Sequence, residues 1–317
     1  MSGRLGQIAV VSLSIAAACG IITALASAQD WVDGGDLPWS GLSWVRTSWA
    51  GARSCGAMPW SSTSGPRERR TADLAWSGGN AVKIRIPAQV HYSPSPTPRA
   101  SVTGDADLVG HVRLRDGILE WDTAEWGRLV GCIRADDLVV QLSGPAVTEW
   151  TVNGSAGLDL SDLRQDALRV TAHGSGAVTA SGDVGDAAVE ASGSGRVDLG
   201  RLVTRATTAS LHGSGHLNLA DAKQDQLRIT LRGSGGITAA GSAHELSLES
   251  SGSGRADLGH LIAERATIKV HGSGDVDLAP REDADISVSG SAVVRLHGAV
   301  ARLNSHVSGS GQVKQVP

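Results

Sequence analysis

Gly193-Ser194-Gly195-Arg196-Val197-Asp198-Leu199-Gly200 returns, with a single exchange, as Gly252-Ser253-Gly254-Arg255-Ala256-Asp257-Leu258-Gly259. The 59 residues from Asn153 to Leu211 align without a gap on His212–Val270, with 27 of 59 positions identical. A shorter period lies beneath. Gly-Ser followed by Gly or Ala recurs with its first glycine at 154, 174, 193, 213, 233, 252, 272, 290 and 309, in steps of 18 to 20 residues. A unit of three coils has been duplicated. A fixed period of this size marks an array whose units bury their apolar faces against one another.

Within each coil, apolar residues alternate with polar ones. Leu168, Val170 and Ala172 precede Gly174, and Gly176, Val178 and Ala180 follow at the same parity. The later coils repeat it with Leu227, Ile229, Leu231, Gly233, Gly235, Ile237 and Ala239. A period of two is that of a strand with one face buried. The parity runs through Gly-Ser-Gly, so both glycines are expected to face inward at a bend and the serine outward. Ala156 and Ala292 replace the second glycine, which argues against a left-handed conformation there. These features predict an all-β chain: a parallel β-helix or solenoid of about nine regular coils over 151–317, rising roughly 40 Å at about 4.8 Å per rung. The strict six-residue subdivision of left-handed forms is missing, so a right-handed coil is favoured. A flat or barrel-like antiparallel sheet is the competing fold.

Composition agrees. Of 317 residues 41 are glycine, 41% are hydrophobic, aromatics are 3% and phenylalanine is absent, so the core is built of Val, Leu, Ile and Ala. That apolar content excludes a disordered polar chain. The formal net charge of -4 leaves no basic surface for nucleic acid.

Arg4, the apolar run from Ile8 to Leu25 and Ala26-Ser27-Ala28 have the order of a secretory signal, so residues 1–28 are expected to be removed. An uncleaved anchor is the alternative; a lipoprotein reading at Cys19 suffers because apolar residues continue beyond it. The run is the only such segment, and the mature chain is expected to carry no membrane span and to reside in the periplasm or at the cell surface. Cys55 and Cys132 are then left. Export permits one disulfide between them, and two free thiols are the alternative.

The GSG-x-[VL]-[DN]-L coils are preceded by Ala81-Val82-Lys83-Ile84-Arg85-Ile86, Val102-Thr103-Gly104-Asp105-Ala106-Asp107-Leu108 and Asp116-Gly117-Ile118-Leu119-Glu120-Trp121. Over residues 67–317 this pattern resembles the head GIN domain of putative auto-transporter adhesins. The resemblance implies an exported β-helical domain and brings no catalytic residue or cofactor with it. Residues 29–66, rich in Trp, Gly and Ser, are a departure from that family. Their tryptophans, among them Trp39, Trp44 and Trp49, cover the open end of the solenoid with the rest of a strand-rich N-terminal cap, form a sugar-stacking or partner-binding surface, or make a membrane-interface contact. Tyr92 to Pro98, with Pro94, Pro96 and Pro98, reads as an extended exposed loop.

Three ladders could carry chemistry. Five residues after each first glycine stand Asp159, Thr179, Asp198, Asn218, Thr238, Asp257, Asp277, Arg295 and Lys314, facing outward. Asp257 and Asp277 fall on adjacent rungs, about 5 Å apart, close enough to share a proton, hold Ca²⁺ or act as an acid–base pair. The plainer account is a polar ladder eased by Arg295. His173, His212 and His271 share a column but stand two or three rungs apart, roughly 10–14 Å, too far for a shared zinc ion. Nine serines sit in the bends, where repetition points to turn chemistry rather than to a nucleophile. The expected function is a non-enzymatic, exported surface-contact or adhesin-like module with no cofactor, taking a glycan or a cell-surface protein. A β-helix polysaccharide lyase or hydrolase and a periplasmic spacer are the alternatives.

Overall fold

A computed structural model of the chain describes residues 68–123 and 137–317, with the side chains of 220–222 left aside. The signal segment, residues 29–66 with Trp39, Trp44 and Trp49, and both Cys55 and Cys132 lie outside the described residues. The rest is a parallel β-solenoid, as the alternation predicts. Its regular part runs through β9 (Gly157–Gly174), β10 (Ala177–Gly193), β11 (Arg196–Gly213), β12 (His216–Gly233), β13 (Gly236–Gly252), β14 (Arg255–Gly272) and β15 (Asp275–Gly290). Each is hydrogen-bonded in parallel to the next, and register follows the repeat: Ala209 faces Ile229, Leu248 faces Ile268, and Gly213 faces Gly233. The stack ends in β16 (Val293–His297), β17 (Arg302–Gly309) and β18 (Gln312–Val316).

The inward parity is the core. Ile229, Leu231, Leu248, Ile268 and Val270 are at most 1% exposed, whereas Lys269 and Arg228 between them are exposed. Full burial of each Leu or Ile contributes about 1.5–3 kcal/mol. All nine bend serines, from Ser155 to Ser310, are exposed.

The bend glycines divide into two kinds, which corrects the expectation that both face inward. The second of each pair is buried or half-buried, and at Gly235 a Cβ would stand 2.6 Å from the carbonyl oxygen of Gly215 and 2.9 Å from the Leu211 side chain. The first is at most half-buried and left-handed: all nine, from Gly154 to Gly309, have φ between 80° and 127°. The second position never has positive φ, in keeping with Ala156 and Ala292 there.

Coil order departs from sequence order at the N-terminal end. β2 (Ala81–Ile84) pairs in parallel with β6 (Ile118–Trp121) on one side and with β8 (Glu149–Gly154) on the other. Likewise β3 (Gln89–Pro94) lies between β7 (Leu138–Gly144) and β9. The chain therefore lays down its second coil first, steps outward to build the end coil, and returns. Antiparallel strands close that end: β4 (Arg99–Asp105) on β7, β1 (Arg69–Asp73) on β4, and β5 (Val112–Arg115) on β6. A single helical turn, α1 (Ala106–Val109), follows β4 and is capped by the Asp105 carboxylate, which accepts from Asp107 N–H.

Tyr92 is not part of an exposed loop. It continues the inward parity of Val90 in β3, is 1% exposed, and donates its hydroxyl to the carbonyl oxygens of Gly144 and Pro145 at 3.1 and 2.7 Å. Its ring lies 5.1 Å from that of buried Trp150, whose indole N–H donates to Val147. Burial raises the Tyr92 pKa above its ordinary value. Only the residues after it turn outward.

Candidate functional site

The outward column predicted from the repeat exists in full. Asp159, Thr179, Asp198, Asn218, Thr238, Asp257, Asp277, Arg295 and Lys314 are register partners from coil to coil. Most of its acids have a donor beside them. Thr179 Oγ1 donates to Asp159 at 2.5 Å, and the His91 ring nitrogen lies 3.3 Å from the other Asp159 oxygen. Asn218 Nδ2 and the backbone N–H of Gly200 donate to Asp198 at 2.8 and 2.9 Å. Asp277, only 15% exposed, lies 3.5 Å from both Arg295 and His297.

Asp257 and Asp277 do fall side by side. Around them the repeat is interrupted. Leu258 pairs with Leu278, but the next pair joins Ile262 to Ala279, so the 18-residue coil omits the stretch opposite 259–261. His297 fills the gap: a Cβ on Gly259 would meet its ring at 3.3 Å. Arg255, Asp275 and Arg295 add ion pairs of 3.1 and 3.7 Å at the surface. Among the described residues no three His, Cys, Asp or Glu side chains are placed to hold a metal ion. The histidine column is in register with the spacing read from the sequence, His173 facing Ser192 and Ser192 facing His212.

A second feature has no motif. Past the ladder in each coil the inward–outward alternation breaks, at Arg205-Ala206, Asp225-Gln226, His244-Glu245 and Glu264-Arg265, which marks a corner in the strand. Two outward columns flank the corner. One runs Ala167, Asp186, Ala206, Gln226, Glu245, Arg265, Asp283, Arg302; the other starts at Glu149 and Arg169, passes Ala188 and Thr208, and ends at Asn304. Between them lie three troughs of about 630, 430 and 390 Å³. The first and second share Ala206, Thr208 and Gln226, and the second and third share Arg265 and Thr267, so they form one groove parallel to the solenoid axis. It crosses nine rungs, roughly 38 Å at about 4.8 Å per step. Alanines and threonines give it depth, and long arginines wall it.

Ion pairs step along this groove from rung to rung. Arg205 meets Asp186 at 2.7 Å, Arg265 meets Glu245 at 3.2 Å, and Arg302 grips Asp283 through two nitrogens. The Arg302 hydrogen bonds hold the Asp283 carboxyl below its usual pKa. His244 Nε2 stands 2.6 Å from Arg265, and its Nδ1 faces Glu264. Exposed pairs of this kind add little stability. What they do is hold a donor beside an acceptor at three places along the groove. The alanines at outward positions 167, 188 and 206 were the one sequence signal that could have revealed the groove.

The geometry has counterparts. A family model described as "Putative auto-transporter adhesin, head GIN domain" matches residues 80–237 and 209–300. A solved structure described as a putative lipid binding protein from Parabacteroides distasonis ATCC 8503 superposes with a TM-score of 0.58 at 18% identity, covering 78% of this chain and 97% of its own. A putative adhesin from Parabacteroides merdae ATCC 43184 gives 0.54 at 20% identity, with 79% and 97% covered. A putative adhesin from Parabacteroides distasonis ATCC 8503 gives 0.55 at 18%, with 79% and 98% covered. At these identities the likeness is one of fold. No curated protein matches the chain. Among the described residues no helix is long and apolar enough to cross a membrane.

Proposed function

The chain belongs to the head GIN domain family of putative auto-transporter adhesins, and from that premise we propose that it is an exported, non-enzymatic contact module that holds its target along the corner groove. The observation that carries this is the continuity of the groove across nine rungs, with side chains fixed at the rung spacing. A surface that repeats makes many weak contacts at once, and summed contacts are how a static module holds an extended target. Export follows from the signal-like order of residues 1–28. The pairing of Asp159, Asp198 and Asp277 with neighbouring donors supports a supporting role for the acidic ladder, since a catalytic acid is ordinarily an exception to its repeat.

Thr208 is exposed at the middle of the groove, and Thr238 is exposed on the ladder face. Beads coated with the full chain are expected to bind at least one surface in a panel of bacterial and eukaryotic cells counted by flow cytometry. Thr208→Trp should abolish that binding and Thr238→Trp should leave it intact. Equal binding by both variants would contradict the assignment of the groove.

A further inference from the structure

We propose that the groove takes a neutral, extended polysaccharide lying along the solenoid axis; the inference rests on the groove being the contact surface. Three observations select that chemistry. The first is the absence of a free strand edge along the body of the groove. Strands β10 to β14 are each paired on both sides, so a peptide main chain laid along them meets no open edge. The open edge of β17, which among the described residues is paired only with β15, runs across the end of the groove and not along it. β-strand addition, the usual way to hold an extended peptide, is closed along that body.

The second is charge balance. The lining carries six carboxylates and five guanidinium groups, interspersed along the length. A polyanion would meet carboxylates and a polycation guanidinium groups at every few rungs, and like-charge juxtaposition is unfavourable. The lining also contains no aromatic side chain on which a nucleobase could stack.

The third is the form in which the charges are presented. Asp186–Arg205, Glu245–Arg265 and Asp283–Arg302 are each a carboxylate held beside a guanidinium, repeated along the axis. A carboxylate only accepts hydrogen bonds and a guanidinium only donates them. A pair of neighbouring hydroxyls can do both, donating to one and accepting from the other, with charge assistance in each direction. A chain of sugar units offers such hydroxyl pairs repeatedly without adding net charge. The small side chains of Ala188, Ala206 and Thr208 leave room for the rings.

Affinity electrophoresis of the full chain tests this. Native gels would contain galactomannan, xyloglucan, dextran or laminarin as neutral polymers, and alginate or heparin as anionic ones. At least one neutral polymer is expected to retard the protein. Raising salt from roughly 0.05 M to 0.3 M should change that affinity by less than about twofold. Thr208→Trp should weaken it by at least about tenfold, and Thr238→Trp should leave it unchanged, which guards against a folding artefact. Retardation by none of the six polymers, or by the anionic ones alone with steep salt dependence, overturns the polysaccharide inference. If Thr208→Trp still abolishes cell binding in that case, the groove stands as the contact surface and only the ligand class has failed. Equal retardation of wild type and Thr208→Trp by a neutral polymer overturns both.

Discussion

Ile268→Asp is expected to destabilise the solenoid by about 3–5 kcal/mol, while Lys269→Asp, one residue on, costs roughly 0.5 kcal/mol or less. Ile268 is fully buried between Leu248 and Ile286 of the flanking coils, so a carboxylate there has neither solvent nor a partner. Lys269 is exposed, with Glu249 and Ser287 as its register neighbours. An aspartate in its place meets Glu249 across water, where screening leaves little repulsion. Because coils contact only their neighbours, damage in β14 should separate the stack into two blocks. Thermal melts followed by circular dichroism check this: a fall of ten degrees or so is expected for Ile268→Asp and almost none for Lys269→Asp. Equal melting temperatures would refute the inward and outward assignment of the whole repeat.

Gly213→Ala is the second large effect, expected at about 2–4 kcal/mol. Gly213 has φ of +115°, and a Cβ there would stand 2.5 Å from the carbonyl oxygen of Gly193. That oxygen accepts from the N–H of Ser214 and cannot retreat without breaking the rung contact. One methyl group therefore brings backbone strain and a collision with the coil beneath. Ser214→Ala, at the exposed tip of the same bend, should change stability by less than about 0.5 kcal/mol. Chemical denaturation of the two variants checks it; a Gly213→Ala protein as stable as wild type would show that the bend can relax and that its glycines serve another end.

The repeat was legible because it is made of residue types. Parity placed Ile229 and Ile268 inside and Lys269 outside, and the spacing placed the column from Asp159 to Lys314 in register. Other features had no such signature. The two glycines of each bend share a parity and both lie close to the coil below, yet only the first takes a left-handed backbone, a difference seen only in three dimensions. Tyr92 was obscured by Pro94, Pro96 and Pro98, although Val90 shares its parity. The outward step that sandwiches β2 and β3 between later strands leaves no trace in a region without repeats. The groove was hidden for a further reason. Its concavity comes from a turn of the chain, and its columns mix alanine, glutamine, acids and arginines that no motif would join.

The groove as contact surface is the central claim, and hydroxyl-radical footprinting of the full chain bound to the cell surface that captures it tests it most directly. Protection is predicted in a stripe through residues 167–169, 186–188, 206–208, 226–228, 245–247 and 265–267, with the ladder at Thr238 and the bend serines as reactive as in the free protein. Protection centred on the ladder or the bends, with the corner columns unchanged, would contradict it.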